Sequence, residues 1–139
     1  MRAIKYLFVH CTATQQNATI DSIKKYWREH LKWKSPGYHI LIDKDGVKHI
    51  LLGDESISNG VGGDFNKYGL HVSWIGGLDI DNRTDAQRSS LKEVLTEWKL
   101  KYPHAEILGH RDAWFKYKYE KARKACPRFN AVIEYKEIK

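Results

Sequence analysis

The chain has 139 residues, of which 42% are hydrophobic, so it can bury the core of one compact domain but is too short for two. No stretch approaches the roughly 18 to 20 uninterrupted apolar residues that a membrane-spanning helix needs. The formal net charge is +7, so the surface should attract anionic polymers. Charge alone does not identify which polymer.

The N-terminal segment predicts a strand followed by a helix. The run from Ile4 to Val9 is mostly apolar and rich in aromatic and β-branched residues, which is typical of a buried strand that delivers His10 at its end. Thr19 can cap a helix that ends before Ser35-Pro36-Gly37. Its apolar positions recur at helical spacing and predict a core-facing stripe: Ile20, Ile23, Trp27 and Leu31.

A hairpin, a loop and a central strand should follow. Residues 38–42 and 47–52 are strand-like runs joined by a segment whose Asp45-Gly46 pair favours a tight turn. Residues 53–66 lack periodicity, and we expect an irregular surface loop there that could form a wall of a substrate groove. The apolar run from Leu70 to Ile75, stopped by Gly76-Gly77, suits a central strand.

The C-terminal half predicts a long helix, a strand and a short helix. Thr84 and Gln87 form a capping box, and the apolar residues that follow recur at helical spacing as far as Tyr102-Pro103: Leu91, Val94, Leu95 and Trp98. Residues 105–108 should form a brief strand leading into Gly109-His110. Asn130 can cap a short terminal helix. Phe129, Val132 and Ile133 of this final segment are available to pack.

Alternating strands and helices, with at least one antiparallel hairpin, predict an α/β fold of mixed α+β character. We expect one domain over residues 1–139, with a central mixed sheet flanked by helices.

Three separate segments offer two imidazoles and one thiolate at loop-like positions, in His10, His110 and Cys126. Zinc accepts nitrogen and sulfur ligands tetrahedrally, and three protein ligands leave the fourth position for a water molecule that can attack a substrate. Each residue alone is weak evidence, because a histidine at a strand end is more often structural. The two cysteines could in principle pair, but Cys126 is better explained as a ligand and Cys11 as a small buried residue, so no disulfide framework is expected.

The segments VHCTAT, GHRD and KACP that carry these residues resemble, in this order, the zinc amidase family of phage amidase-type lysozymes and animal peptidoglycan recognition proteins. The segments Gly37-Tyr38-His39, Ile75-Gly76-Gly77 and Thr84-Asp85-Ala86-Gln87 match as well. The resemblance implies a mixed sheet with Zn²⁺ in a cleft at one edge. It also implies hydrolysis of the amide that joins the lactyl group of N-acetylmuramic acid to L-alanine in peptidoglycan.

Tyr38 and Lys124 match residues that the family uses in catalysis, and we expect them to stabilise the oxyanion or to assist the leaving amine, in roles that remain open between them. His39 should be structural or lie behind the ligands, and Arg111 and Asp112 could brace the loop that bears His110. The remaining histidines lie in no matching ligand context and receive no role: His30, His49, His71 and His104.

Two departures from the family concern substrate contacts. Asn59 stands where many relatives carry a histidine that helps bind substrate. The connection between His110 and Cys126 is longer than in compact phage enzymes, and in it Trp114, Phe115, Tyr117 and Tyr119 alternate with lysines. Trp114 could stack on a sugar face, although these aromatic residues could equally pack the loop onto the domain.

Two other functions are compatible with the sequence. The chain could be a non-catalytic peptidoglycan-binding module, although all three candidate ligands are present. It could also bind nucleic acid or regulate a polymerase, as the charge and the interleaved aromatic residues of 113–124 allow. We expect a monomer without a visible export signal, typical of a phage or prophage lysis enzyme that accumulates in the cytoplasm before it acts on the cell wall.

Overall fold

The computed structural model describes residues 2–139. The strands are β1 (Tyr6–Cys11), β2 (Ile40–Ile42), β3 (Lys48–Ile50), β4 (Gly69–Trp74) and β5 (Glu106–Gly109). The helices are α1 (Ile20–Glu29), α2 (Gly63–Lys67), α3 (Asp85–Lys101), α4 (Asp112–Phe115) and α5 (Ala131–Glu134), with a 3₁₀ turn at Glu120–Ala122. Across this part of the chain no helix is long and apolar enough to cross a membrane.

The five strands form one mixed sheet in the order β3-β2-β4-β1-β5. β1 runs parallel to both β4 and β5, β4 runs parallel to β2, and β2 and β3 form the antiparallel hairpin around Asp45-Gly46. The predicted mixed sheet and the central position of β4 are confirmed. Since β1 and β4 have neighbours on both sides, every side chain on them faces one of two covered layers.

Side chains on β1 alternate between these layers. Leu7, Val9 and Cys11 join the larger core, which α3 and α5 cover together with the C-terminal segment. Phe8 faces the other layer, which α2, α4 and α1 cover with two smaller clusters. His10 follows Phe8 at the strand period of two and is fully buried in that second layer.

The helix caps predicted at Thr19 for α1 and at Thr84 for α3 are present. Thr19 Oγ1 accepts a hydrogen bond from the Ser22 amide at 3.0 Å, and Thr84 Oγ1 accepts one from the Gln87 amide at 3.0 Å. Gln87 Oε1 accepts in return from the Thr84 amide at 3.0 Å, and its Nε2 donates to the Ile75 carbonyl at 2.9 Å. The capping residue of α3 therefore also attaches that helix to the sheet.

Several element boundaries differ from the sequence prediction. The second strand begins at Ile40, not at residue 38. The segment 53–66 is not wholly irregular, since the short helix α2 begins at Gly63. Leu31 lies beyond the end of α1 and is 39% exposed, so the buried stripe of that helix consists of Ile23 and Trp27.

The terminal helix is capped as predicted but packs through different residues. Asn130 Oδ1 accepts from the Ile133 amide at 3.1 Å. Val132 and Ile133 were expected to pack and are 43% and 61% exposed, so that prediction is wrong. Ala131 and Tyr135 lie four positions apart on one helical face, and they are the buried pair.

A buried arginine joins the C-terminal helix to the start of α3. The Arg83 side chain is 1% exposed. It donates to Asp81 Oδ2 at 2.9 Å and to Glu134 Oε2 at 2.7 Å, and its guanidinium lies 3.4 Å from the ring centroid of Phe129. Hydrogen bonds from Arg83 lower the pKa of Glu134, and they also lower the pKa of Asp81 against the opposing effect of burial.

Replacing Arg83 with Met should lower the free energy of unfolding near neutral pH by about 2–3 kcal/mol, because two partly buried carboxylates lose their shared partner. Both carboxyls have lower pKa values in the folded than in the unfolded state, so the wild-type advantage is complete above about pH 4 to 5 and disappears as the pH falls below that. Urea unfolding near pH 7 and near pH 3 measures both effects.

Arg88 provides the matched control, since its side chain is 46% exposed at 3.6 Å from Asp81. Arg88→Met should cost less than about 1 kcal/mol. Equal losses in the two variants, or an Arg83→Met loss that persists near pH 3, would contradict the role of the buried cluster.

Candidate active site

The two histidines predicted as ligands are brought together by parallel pairing of their strands. Val9 on β1 is in register with Gly109 on β5, and His10 and His110 are the next residues on each chain segment. Their Nδ1 atoms lie 3.1 Å apart, and both rings are buried. The His110 amide donates to the Val9 carbonyl at 3.0 Å, which continues the ladder to the site itself.

The loop after β5 is braced as the sequence suggested. Asp112 Oδ2 accepts from the Gly109 amide at 2.8 Å, directly before His110. Arg111 contributes through its backbone, because its amide donates to the Cys126 carbonyl at 3.0 Å. The same loop thus fixes His110 and ties it to the third candidate ligand.

Cys126 follows the long connection after His110 and lies at the same edge of the sheet as the two histidines. Its Sγ accepts a hydrogen bond from the Cys11 amide at 3.1 Å. The ligand atoms of His10, His110 and Cys126 all lie within 4.8 Å of one another, and they form a metal-capable group within residues 2–139. Cys11 and Cys126 are both free thiols.

The protonation states of the two histidines favour cation binding, whereas that of the cysteine opposes it. Burial, the neighbouring His110 and His71 and the charge of Lys124 lower the pKa of His10 well below its usual value. Burial and Lys124 lower the pKa of His110 to about 4, so both imidazoles are neutral at pH 7 and have lone pairs to donate. Burial and the adjacent Cys11 raise the pKa of Cys126, so a cation that binds there must displace the thiol proton.

The donor set fits zinc. Two imidazole nitrogens and one thiolate sulfur are the ligands that zinc prefers, and three protein ligands are the number found in catalytic zinc sites. The group lies at the edge of a solvent-accessible cleft, so a further position can be reached from outside.

Tyr38 lies directly beside the ligands. Its ring centroid is 4.9 Å from that of His10, and its hydroxyl donates to the Cys11 carbonyl at 3.4 Å. Burial raises the pKa of the Tyr38 phenol far above its usual value. Tyr38 is therefore a hydrogen-bond donor throughout the neutral and alkaline range.

The cleft has a volume of about 600 Å³ and is lined by Tyr38, His110 and Lys124. Its opposite wall comes from α1 and the turn that follows it, through Ile23, Tyr26, Trp27, Leu31 and Trp33. Lys124 itself is exposed, so its ammonium group reaches the cleft from the solvent side. The structure thus brings together all five residues predicted as ligands or catalytic groups.

The two predicted substrate contacts are placed elsewhere. Asn59 donates through Nδ2 to the Ser35 carbonyl at 2.9 Å, and the cleft is lined by its neighbour Gly60. Trp114 packs against the cluster around Phe8, with the Arg123 guanidinium 5.0 Å from its ring centroid. Neither side chain is among the residues that line the cleft.

Aromatic residues of the long connection mostly pack onto the domain. Tyr117 and Tyr119 contact Phe65, with ring centroids 5.7 Å and 5.3 Å apart. Trp114 and Tyr119 are partly buried against the second layer, whereas Phe115 is 58% exposed. Of the two alternatives for this loop, packing accounts for most of its aromatic residues.

One histidine of the site was given no role from the sequence. His71, on β4, is fully buried, and its Nδ1 lies 2.9 Å from His10 Nε2. His39 lies behind it, as predicted for that residue, and accepts from the His71 amide at 3.1 Å. Strand alternation carried the signal, since Leu70, Val72 and Trp74 form the apolar face of β4 and leave His71 on the face of His10.

Sequence comparison places these residues in a known family. The family of N-acetylmuramoyl-L-alanine amidases matches residues 1–129. The endolysin of Enterobacteria phage K11 is 33% identical over 129 residues, which is 88% of this chain and 80% of that protein. The endolysin of Klebsiella phage KP32 is 30% identical over 130 residues, covering 89% and 80%.

Solved structures share the fold at lower identity. The N-acetylmuramoyl-L-alanine amidase LysC from Clostridium intestinale superposes with a TM-score of 0.78 at 21% identity, covering 96% of this chain and 82% of that one. Human PGRP-IBETAC, solved in complex with glycosamyl muramyl pentapeptide, superposes with a TM-score of 0.76 at 18% identity over 99% and 84%. Fold, sequence and site agree, and the chain belongs to the N-acetylmuramoyl-L-alanine amidase family of peptidoglycan hydrolases.

Proposed function

We propose that this protein is a zinc-dependent amidase that acts as a phage endolysin, cleaving the bond between N-acetylmuramic acid and L-alanine in peptidoglycan. The observation that carries the proposal is the convergence of His10, His110 and Cys126. Of these, His110 lines the same cleft as Tyr38 and Lys124. The reaction is inferred from family membership, and the identity of the metal is inferred from the two imidazoles and the thiolate that would bind it.

His10 and His110 would hold zinc as neutral imidazoles, and Cys126 as a thiolate. Zinc bound there supplies a Lewis acid for the scissile carbonyl and lowers the pKa of a water molecule to about 7. The bound thiolate is held by the Cys11 amide, whose hydrogen bond to Sγ spreads part of its charge.

Tyr38 and Lys124 supply the remaining chemistry. Addition of water to the amide carbonyl places negative charge on the carbonyl oxygen, and cleavage of the carbon–nitrogen bond requires a proton on the departing amine. Tyr38 remains protonated, and its hydroxyl can turn from the long 3.4 Å bond to the Cys11 carbonyl and donate its one proton to that oxygen instead. Lys124 brings a mobile cation to the same space and can stabilise the charge or protonate the amine.

The cleft suits a muramyl peptide as substrate. Its α1 wall offers apolar and aromatic surfaces in Ile23, Tyr26 and Trp27, against which a sugar or an alanine methyl group can pack. Asn59 and Trp114 stay predictions as substrate contacts, and neither side chain lines the cleft. We propose that residues 1–139 act as one catalytic unit and as a monomer.

The decisive experiment is release of stem peptide from purified muropeptide, followed by mass spectrometry, with the zinc content of the protein measured in parallel. Cleavage at the lactyl amide should stop on chelation and return when zinc is restored. Absence of cleavage by a protein that carries one zinc ion per chain would refute the amidase and favour the binding-module alternative.

Single substitutions of the ligands should remove the metal together with the activity. Cys126→Ser replaces a strong donor with a poor one and His110→Ala removes a donor, so zinc retained after desalting should fall below about a tenth of the wild-type content, and stem-peptide release should become undetectable. Cys11→Ala is the matched control, because Cys11 is buried beside the site without belonging to the ligand group. Full activity in Cys126→Ser would refute the assignment of His10, His110 and Cys126 as the zinc ligands.

Substitutions at Tyr38 and Lys124 should separate catalysis from metal binding. Tyr38→Phe and Lys124→Met should keep zinc while kcat falls by about 10²–10³-fold, the usual effect of losing one stabilising donor. Lys121→Met, an exposed lysine of the same basic segment, should leave kcat unchanged. Loss of zinc from Tyr38→Phe would show that the phenol supports the ligands and not the reaction.

A further inference from the structure

His71 is connected to a ligand on one side and to the backbone on the other. Its Nδ1 lies 2.9 Å from His10 Nε2, and its Nε2 lies 3.2 Å from the Phe65 carbonyl oxygen. A carbonyl oxygen can only accept a hydrogen bond, so His71 Nε2 carries a proton. The ring is fully buried, and among the described residues its hydrogen-bond partners are a carbonyl oxygen and another imidazole, with no carboxylate to balance a charge, so the ring is neutral and Nδ1 keeps a lone pair.

The proton positions then follow along the chain of hydrogen bonds. Because His71 Nδ1 can only accept, His10 must donate from Nε2, and a neutral His10 has its lone pair on Nδ1. That atom is the one that faces His110 Nδ1 at 3.1 Å, inside the ligand group. The Phe65 carbonyl, which belongs to α2, therefore determines the tautomer of a ligand two hydrogen bonds away.

The His71 ring has little freedom to turn. Phe8 from β1 stacks on it with ring centroids 5.2 Å apart and planes 7° from parallel, and His39 stacks at 6.0 Å and 8°. A Cβ on Gly60 would lie 2.3 Å from His71 Nδ1, and one on Gly69 would lie 2.1 Å from the Phe65 oxygen. Both glycines thus permit the close approach that the two hydrogen bonds require.

We propose that His71 is a positioning residue that holds His10 as the Nε2-protonated tautomer, with Nδ1 directed to the metal. The proposal rests on the zinc site proposed above. His110 lacks such a partner, since no described residue bonds its buried Nε2. His71 therefore acts on one ligand of the pair.

Zinc affinity tests the hydrogen bond separately from the packing. His71→Leu removes the acceptor, whereas His71→Asn, of similar size, offers Oδ1 near the position of Nδ1. Competition with a chromogenic chelator should show zinc bound about 10–100-fold more weakly by His71→Leu, the usual cost of losing such a partner. His71→Asn should stay within about threefold of wild type, because it keeps the acceptor.

A direct readout of the tautomers complements the affinity measurement and needs no substitution. Long-range ¹H–¹⁵N spectra of zinc-free wild-type protein, labelled on its histidine rings, should show His10 protonated on Nε2 and His71 also on Nε2. This measurement remains informative if His71→Leu does not fold.

The outcomes distinguish the two proposals. Failure of wild-type protein to bind zinc would refute the zinc site and leave the tautomers to be read from the spectra. Equal zinc affinity in wild type and His71→Leu, equal weakening in both variants, or His10 protonated on Nδ1 would each overturn the role of His71.

Discussion

Parallel pairing of β1 with β5 is the constraint on which the site depends. Val9 and Gly109 are in register, so the next residue of each strand projects to the same face of the sheet and to the same edge. A slip of one residue would turn either histidine toward the opposite layer and destroy the 3.1 Å approach of their Nδ1 atoms. Site geometry is thus a consequence of strand register, which the buried apolar residues of both layers enforce.

The side chains of His10, His110 and Cys126 are uncharged when no cation is bound. Burial keeps His10 and His110 neutral and keeps the thiol of Cys126 protonated, because it raises the pKa of that thiol and lowers the pKa of both imidazoles. Lys124 approaches from the exposed side and opposes protonation of both histidines. The charge of Lys124 therefore helps to keep both imidazoles free of protons.

Local signals in the sequence were enough to predict the elements that carry the site. The cap at Thr19, the capping box at Thr84 and the two apolar strands that lead to His10 and His110 depend on residues a few positions apart. The structure has both caps and both strands, with strand ends shifted by one or two residues. The contact of His71 with His10 was not predicted, because it depends on the pairing of β4 with β1, which brings together residues 61 positions apart. The arginine cluster at Arg83 was missed for a similar reason, since its partner Glu134 lies 51 positions away. The alternation within β4 indicates which face His71 occupies but not which residue it contacts there.

The long connection between His110 and Cys126 shows how a loop can hold two distant residues at one place. Its ends are fixed to each other, because the Arg111 amide donates to the Cys126 carbonyl at 3.0 Å. The intervening residues fold onto the domain through Tyr117 and Tyr119, which pack against Phe65 of α2. Since the closure entropy of a loop grows only slowly with its length, a long connection whose ends are held together need not disturb the residues at those ends. The same connection contacts Phe65, whose carbonyl oxygen lies 3.2 Å from His71 Nε2, so the loop and the hydrogen bonds behind the site meet at one residue of α2.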